Sequence, residues 1–328
     1  MHSKRSYSIL IIGCGSIGRK HAFCFKQLGR GRVIICDAQP ELARRVANEI
    51  GVQYAPDMAS ALRDHTVTAA VVCTPADTHI QLTLDLLKAG IHVLVEKPLA
   101  TSLTQIDELL RVQRQSDRKI AVAYVYRFFP YLIQARDCIL QPKVGRIRVF
   151  SYVGGQPFHR LRPGYAATYY RNRATGGGAI QDALTHISNW AQTIVGEAHQ
   201  VRAMAGNFKL PGVSVEDTAC VIAHHEHAIS SYCINQFQPV DEGVVHIHAE
   251  HCSVIVEFHR QRWAYCMEDM EEWHWTHAPV ADYNDCFIAQ GKAFLDLCDG
   301  KPAEICTLAE AVASLRFNLT ALTSASAG

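Results

Sequence analysis

The sequence lacks the features that would place it in several specialised classes of protein. No apolar run approaches the length of a membrane span, no segment has a strongly biased composition, and the formal net charge is only +1. A nucleic-acid surface or a polybasic membrane patch needs an excess of lysine and arginine. We therefore expect a soluble protein that binds neither nucleic acid nor a membrane.

Cysteine occurs twelve times, but never as the CxxC pair that is typical of metal and redox motifs. The cysteines are scattered through apolar segments such as Ile35-Cys36 and Val72-Cys73. This pattern favours buried, reduced thiols and hence a cytoplasmic location. The basic start of the chain precedes an apolar run that is too short for a signal peptide, so we interpret that run as a first β-strand.

With 328 residues, of which 48% are hydrophobic, the chain is long enough for two domains. Up to about residue 123, short apolar runs alternate with helical segments, which is typical of a parallel sheet covered by helices. Residues 200–277 instead favour period-2 strands of an open, mostly antiparallel sheet. We predict an α/β protein with a parallel-sheet domain over residues 1–123 and an α+β domain over residues 124–328.

The first predicted strand leads into the glycine turn Gly13–Gly18, which has the pattern G-x-G-x-x-G and opens a helix. In that pattern the first glycine permits a tight turn, the second lets the backbone approach a pyrophosphate, and the third lets helix and strand pack closely. The turn predicts a Rossmann dinucleotide-binding domain. The residues expected at the cofactor are Gly13, Gly15, Ser16, Ile17 and Gly18. A glycine-rich turn without a ligand is the alternative.

Asp37 ends the second predicted strand, close to the spacing of the acid that binds the adenine ribose hydroxyls. Its carboxylate would repel a 2′-phosphate, so the sequence favours NAD over NADP. A helix-capping role for Asp37 is the alternative, and Arg44 and Arg45 leave NADP open.

Glu96 and Lys97 follow a buried apolar strand and precede Pro98. Open α/β sheets bind ligands at the carboxyl ends of their strands. A lysine beside a cationic nicotinamide should have a lowered pKa and exchange protons with an alcohol near neutral pH. A surface ion pair at the end of a strand is the alternative.

Asp182 and His186 follow a glycine triplet, Gly176–Gly178, and are four residues apart on a predicted helix. Side chains at that spacing project from one helix face, so an acid and an imidazole can converge on one substrate hydroxyl. The alternative is an aspartate that only complements the helix dipole and a histidine that only packs.

Together with the glycine turn, four further motifs occur in the order typical of one family. They are CTPADTH at 73–79, VEKPLA at 95–100, YRFFP at 126–130 and GGGAIQDALTH at 176–186. The sequence thus resembles the glucose–fructose oxidoreductase, inositol dehydrogenase and rhizopine-catabolism (Gfo/Idh/MocA) family. The resemblance implies an enzyme that transfers hydride between NAD(P) and a secondary alcohol or ketone of a sugar, cyclitol or sugar derivative.

The resemblance assigns catalysis to Lys97, Asp182 and His186. It implies that His186 accepts the substrate's proton, that Lys97 polarises the substrate or relays the proton, and that Asp182 orients the substrate. Further cofactor contacts are implied for Thr74, Pro75, His79, Glu96, Lys97 and Arg127. Further substrate contacts are implied for Tyr126, Tyr165, Tyr169 and Arg171. The second domain is implied to bind substrate, and its open sheet to join a homodimer or homotetramer.

The sequence departs from the family pattern at two places near these residues. Val125 replaces an asparagine that commonly stands two residues before Arg127, and Ser188-Asn189-Trp190 replaces an acid that often follows the helix histidine. The first departure predicts the loss of one polar contact with cofactor or substrate, and the second predicts a different orientation of the substrate. The histidines of residues 224–251 have no recognisable zinc spacing, and we expect no metal.

Two other functions remain open on the sequence alone. The chain could be a non-catalytic NAD(P)-bound sensor of a sugar or of redox state, although a sensor has no need of the proton-transfer groups Lys97 and His186. It could also be a nucleotide-sugar dehydrogenase that retains its cofactor between turnovers.

Overall fold

The computed structural model describes residues 6–326. Residues 1–5 of the first predicted domain and residues 327–328 of the second lie outside this described range. The chain forms two compact units. The first contains the residues up to Val125 together with Asp282–Ala311, and the second contains Tyr126–Ala281 and the residues from Val312 onward.

The first unit is built on a parallel sheet with the order β3-β2-β1-β4-β5-β6. Its strands are β1 (Tyr7–Ile12), β2 (Gly31–Cys36), β3 (Gln53–Tyr54), β4 (Ala69–Val72), β5 (His92–Glu96) and β6 (Ile120–Ala123). Its helices up to this point are α1 (Ser16–Leu28), α2 (Pro40–Ile50), α3 (Met58–Asp64), α4 (His79–Lys88) and α5 (Ile106–Gln115). The predicted parallel sheet is confirmed.

Local chemistry explains where these elements begin and end. Every residue of β1 and β4 is buried, as expected for strands covered on both faces. Helix α1 ends at Leu28, and the residue that follows it, Gly29, has a φ of 65°, which suits glycine. Helix α3 begins after Asp57, whose carboxylate accepts the Ser60 N–H at 2.7 Å, and this bond holds the pKa of Asp57 below its usual range.

The second unit is built on an eight-stranded sheet. Its strands are β7 (Ile147–Gly155), β8 (Gln200–Gly206), β9 (Thr218–His224), β10 (Ile229–Asn235), β11 (Glu242–Ala249), β12 (Cys252–Glu257), β13 (Arg262–Met267) and β14 (His274–His277). Its order is β14-β13-β12-β11-β7-β10-β9-β8, and only the β7–β10 pair is parallel. The predicted mostly antiparallel sheet is confirmed. Its helices so far are α6 (Pro130–Ile139), α7 (Phe158–Leu161) and α8 (Thr185–Val195).

The strands of the second sheet bury one face. Along β9, Ala219, Val221 and Ala223 are buried while the residues between them face outward. Aromatic side chains from β7, β10 and α8 fill the buried side, where the Phe150 ring lies 5.8 Å from those of Trp190 and Tyr232. The opposite face carries exposed apolar side chains. None of the described helices combines the length and hydrophobicity that a membrane span requires.

The last elements are α9 (Tyr283–Cys298), β15 (Cys306–Thr307) and α10 (Leu308–Ser326). Helix α9 packs on α1, and β15 adds an antiparallel edge to β6. Arg30 binds Asp296 at 2.7 Å and Asp299 at 2.6 Å. Residues 282–311 therefore belong to the first unit, which corrects their assignment to a domain of residues 124–328. The packing of α9 on α1 depends on a contact between segments far apart in the sequence.

Candidate functional site

The glycine turn of the first unit depends on close approaches of backbone to backbone. Gly13 has a φ of 99°, and a Cβ there would lie 2.7 Å from the Cys73 carbonyl oxygen. A Cβ on Gly18 would overlap the Gly13 carbonyl oxygen. Both positions therefore require glycine.

Gly15 differs from these two glycines because its missing Cβ faces open space, with no atom within 4 Å. It precedes the first residue of α1, Ser16, and no side chain caps this end of the helix. The first N–H groups of the helix have no acceptor within it, and the helix dipole favours an anion there. This cradle fits the pyrophosphate of a dinucleotide.

Asp37 lies at the end of β2 beside the turn. One carboxylate oxygen accepts the Cys14 N–H at 2.6 Å and the other accepts the Gln39 N–H at 2.9 Å, so the backbone fixes the orientation of the group. The carboxylate is half-buried and retains lone pairs for ribose hydroxyls. On α2, Arg44 approaches Glu41 and Arg45 approaches Glu49, both at 3.9 Å.

Thr74, Pro75 and His79 follow β4. Thr74 is half-buried and Pro75 is exposed, whereas the His79 ring is almost completely buried. Its nitrogens lie 3.0 Å from the Pro98 carbonyl oxygen and 2.9 Å from that of Thr74, so the ring connects the loops after β4 and β5. Burial lowers the pKa of His79, although the carbonyl contacts oppose that effect. His79 supports the loop that carries Thr74.

Glu96 ends β5, and the Lys97–Pro98 bond that follows is cis. One Glu96 carboxylate oxygen accepts the Lys97 N–H at 2.9 Å, and the other lies 2.7 Å from His21 Nε2. His21 and Glu96 are both buried, while Lys97 is half-buried. Glu96 therefore holds the backbone of Lys97 in place and connects it to α1.

The sequence interpretation missed His21. Its ring lies on the buried side of α1, against the aromatic rings of Phe25 and Phe287. The available signal was a histidine on a helix face whose other residues are small or apolar. Such a residue needs a buried hydrogen-bond partner, and Glu96 supplies it.

In the second unit the glycine triplet brings the start of a helix against Glu216. Gly178 has a φ of 97°, and a Cβ there would overlap the Glu216 carboxylate. That carboxylate is buried and accepts the Ile180 N–H at 3.2 Å, while the Glu216 carbonyl oxygen accepts the Ala179 N–H at 2.8 Å. Arg173 pairs with the same carboxylate at 3.1 Å. This end of the helix is closed by the protein itself.

Asp182 lies in a π-helical turn, Ile180–Leu184, that continues directly into α8, on which His186 lies. The Thr185 N–H donates to the Ile180 carbonyl oxygen, five residues back. Asp182 and His186 are both half-buried. At a spacing of four residues, the two side chains are expected to project from one side of the helix.

Two tyrosines contact this pair. The Tyr169 hydroxyl donates to Asp182 at 2.8 Å, and the Tyr126 ring stacks on His186 with centroids 4.6 Å apart and an interplanar angle of 21°. The structure thus places Asp182 and His186 each in contact with a predicted tyrosine of the second unit. Arg171 is exposed and follows Tyr169 on the same loop.

Two other predicted residues make mainly internal contacts. Tyr165 is buried against Phe158 and Tyr170, and its hydroxyl donates to the Pro211 carbonyl oxygen at 2.7 Å, so it holds the loop together. Arg127 donates through Nε to Asn189 at 2.9 Å.

Asn189, one of the departures from the family pattern, is buried. Besides accepting from Arg127, it donates to Ser314 Oγ at 2.9 Å. An amide can accept and donate at once, whereas a carboxylate can only accept.

Three histidines of residues 224–251 have hydrogen-bonding partners in the protein, and the rings of His246 and His248 stack with centroids 6.2 Å apart. His225 lies between the Gly196 carbonyl oxygen and Ser230 Oγ, His248 contacts Ser253 and His251 contacts Glu268. Within residues 6–326, no three histidine, cysteine or acidic side chains meet in a way that could hold a metal ion.

A parallel sheet with an open glycine turn and an acid on its second strand defines a Rossmann dinucleotide-binding unit, here joined to an α+β unit. The family model "Oxidoreductase family, NAD-binding Rossmann fold" matches residues 7–124, and "GFO/IDH/MocA C-terminal domain" matches residues 132–255. The chain belongs to the Gfo/Idh/MocA family of oxidoreductases. The predicted NAD-binding Rossmann domain is confirmed.

Curated relatives include dehydrogenases of sugars and cyclitols. Levoglucosan dehydrogenase of Pseudarthrobacter phenanthrenivorans is 25% identical over 210 residues, which cover 61% of this chain and 54% of the relative. Inositol 2-dehydrogenase of Rhizobium meliloti is 26% identical over 189 residues, which cover 57% and 54%. The chain thus aligns with about half the length of these relatives.

Solved structures superpose over nearly the whole chain. A levoglucosan dehydrogenase in complex with NADH has a TM-score of 0.89 at 20% identity, covering 98% of this chain and 97% of the other. GenD2 from gentamicin A biosynthesis, in complex with NAD, has a TM-score of 0.84 at 22% identity, covering 99% and 96%. At these identities the likeness establishes the fold.

Proposed function

We propose that the chain is an NAD-dependent dehydrogenase acting on a CH–OH group of a sugar, cyclitol or sugar derivative. The observation that carries the proposal is the helix face with Asp182 and His186, because its acid and imidazole are held by Tyr169 and Tyr126. Oxidation of an alcohol requires a group that accepts the hydroxyl proton, and imidazole suits that role near neutral pH. The names of the relatives support the class of substrate.

In this proposal Lys97, Asp182 and His186 perform the proton chemistry. His186 takes the hydroxyl proton while the carbon gives up its hydride, and the alcohol becomes a ketone. Bound NAD supplies the hydride acceptor. Lys97 polarises the oxygen or relays its proton, and Asp182 orients the substrate.

The proposed cofactor contacts come first from the open end of α1 and the loops around it. They are Gly13, Gly15, Ser16, Ile17, Gly18, Asp37, Thr74, Pro75 and Lys97. We also include His79, Glu96 and Arg127 among the cofactor-binding residues, because each of them holds neighbouring groups of the site in position. The Asp37 carboxylate favours NAD over NADP.

The proposed substrate contacts lie at the Asp182 and His186 face, together with Lys97. They are Lys97, Tyr126, Tyr169, Arg171, Asp182 and His186. Tyrosine and arginine side chains can stack on a sugar ring and bind its hydroxyls. Tyr165 is left out because its hydroxyl already binds Pro211 and its ring is buried.

The test is a screen of sugars, cyclitols, sugar acids and nucleotide sugars with NAD and with NADP, monitored by the absorbance of reduced nicotinamide. We expect turnover with at least one polyol and NAD. Tight NAD binding without turnover across the panel would favour the sensor. Nicotinamide that copurifies with the protein and exchanges slowly would favour the variant that retains its cofactor.

We also propose a cytoplasmic homodimer or homotetramer assembled through the open face of the second sheet. Large apolar side chains project there: Met204 is 81% exposed, Val153 63% and Ile222 59%. Contiguous exposed apolar patches mark interaction sites. Light scattering on wild type and on Val153→Asp/Ile222→Asp tests the assembly. A monomeric wild type, or an unchanged mass in the variant, would contradict it.

A further inference from the structure

A buried histidine on α1, His21, contacts the residue that precedes the proposed catalytic lysine. His21 Nε2 lies 2.7 Å from one oxygen of the Glu96 carboxylate, and both side chains are buried. The other oxygen of that carboxylate accepts the Lys97 N–H at 2.9 Å. A continuous chain of two hydrogen bonds therefore runs from α1 to the backbone of Lys97.

The surroundings of His21 indicate which ring nitrogen carries a proton. An ionised carboxylate only accepts hydrogen bonds, so His21 Nε2 donates to Glu96. Nδ1 is buried without a hydrogen-bond partner among residues 6–326, and the ring lies against Phe25 and Phe287. A proton on Nδ1 would bury an N–H group without an acceptor, which is costly. The geometry is therefore that of a ring with a single proton, on Nε2.

The Glu96 carboxylate depends on this donor because it is buried. A buried carboxylate oxygen that loses its donor turns toward another donor or takes up a proton, since neither water nor a new partner compensates it in place. Either change disturbs the hydrogen bond between the second oxygen and the Lys97 N–H. His21 thus controls how firmly the backbone of Lys97 is held.

We propose that His21 is a positioning residue, which acts through Glu96 to keep Lys97 where it can meet the substrate oxygen. The inference rests on the proposed dehydrogenase function, in which Lys97 polarises that oxygen or relays its proton. Proton transfer requires the two groups to lie within hydrogen-bond reach, and a misplacement of about 1 Å can cost roughly 10²-fold in rate. The helix that offers its first turn to the pyrophosphate would then also position the lysine.

The first test compares substitutions of His21 in the full-length protein, with the polyol that the substrate screen identifies. His21→Leu removes the donor, whereas His21→Gln can offer an amide N–H near the position of Nε2. We expect His21→Leu to lower kcat roughly 10–100-fold. The affinity for NAD should fall much less, because the cradle at Gly15 is unchanged. His21→Gln should recover most of the lost turnover. If His21→Leu does not fold, His21→Asn replaces it, because the shorter amide does not reach Glu96.

A second test measures the position of Lys97 without turnover. Lys97 is half-buried, so release of its backbone should expose its ammonium group to an amine reagent such as acetic anhydride. Peptide mass spectrometry gives its labelling rate relative to that of Lys88, an exposed lysine of the same unit. We expect the relative rate to rise severalfold in His21→Leu and to stay near the wild-type value in His21→Gln.

His92→Leu is the matched control for the loss of a buried histidine. His92 lies at the opposite end of β5 from Glu96, and its Nδ1 accepts the Lys119 N–H at 2.9 Å. This variant should lose stability without a change in turnover or in the labelling of Lys97.

Three results would overturn the proposal. They are equal effects of His21→Leu and His92→Leu, a His21→Gln variant as impaired as His21→Leu, and a labelling rate of Lys97 that does not rise in His21→Leu. If the wild type turns over no substrate, the dehydrogenase proposal fails. The labelling rates then still decide whether His21 positions Lys97.

Discussion

Two glycine-rich turns in this protein each precede a helix that carries predicted site residues, and the two helix starts differ in whether the protein itself closes them. At Gly15 the first turn leaves open space in front of α1, and no side chain caps the helix. At Gly178 the second turn presses against the buried Glu216, whose oxygens take the first N–H groups. The first helix end is therefore available to an anion from outside. The second is closed, which makes its helix a fixed support for Asp182 and His186.

The largest expected effect is on turnover and concerns His186, which lies on the helix after the closed turn. We expect His186→Asn to lower kcat/KM by about 10²–10⁴-fold, since general-base catalysis contributes that much, while NAD affinity is retained. Steady-state kinetics and calorimetric titration with NAD measure the two quantities. His248→Asn is the matched control, because His248 is an exposed histidine of the second sheet that contacts Ser253 and the ring of His246. Near-normal turnover of His186→Asn would remove it from the catalytic group.

The next effect concerns the closed turn itself. Gly178→Ala combines a strained φ with an overlap on the Glu216 carboxylate, so we expect a loss of about 3 kcal/mol in the free energy of unfolding. Gly90→Ala is the control for strain alone, since Gly90 has a φ of 76° but no atom within 4 Å of its Cβ position. It should cost about 1 kcal/mol. Equal losses in urea unfolding would show that contact with Glu216 contributes nothing.

At the open turn we expect the opposite result, in which a substitution lowers the affinity for NAD and leaves stability almost unchanged. Gly15→Ala has space for its methyl group and an ordinary φ of −63°, so stability should change by less than about 0.5 kcal/mol. The methyl group would occupy the approach of the pyrophosphate, and NAD affinity should fall roughly tenfold or more. Thermal unfolding measures the change in stability, and titration with NAD measures the change in affinity. A destabilised protein with normal NAD affinity would reverse the comparison between the turns.

The smallest expected effect concerns the choice of cofactor at the open turn. Asp37→Asn removes a charge that opposes a 2′-phosphate, an interaction of about 1 kcal/mol in a solvated site, so the NADP-to-NAD affinity ratio should rise roughly fivefold. The amide still offers an oxygen to the Cys14 N–H. Parallel titrations with NAD and NADP measure the ratio. An unchanged ratio would show that Asp37 only orients the backbone of the turn and does not select between the two cofactors.

Several features of the site followed from local pattern, while others required the folded chain. The alternation of short apolar runs with helical segments predicted the parallel sheet of the first unit. The spacing of Asp182 and His186 predicted a helix there, and the structure places both residues on continuous helical turns. The pairing of His21 with Glu96 joins residues 75 positions apart, and no local pattern indicates such a contact. Tyr165 looked suited to a sugar ring, yet the loop folds it inward.

By itself, the sequence determined the family, the glycine turn, the acid on the second strand and the helix with its acid and imidazole. These are properties of short segments, in which backbone conformation and side-chain spacing decide the outcome. Only the tertiary structure decided that residues 282–311 join the first unit, that Glu216 closes the second helix, and that His21 meets Glu96. Such contacts depend on which buried surfaces and strands pair across long separations, and many pairings are compatible with the same local pattern.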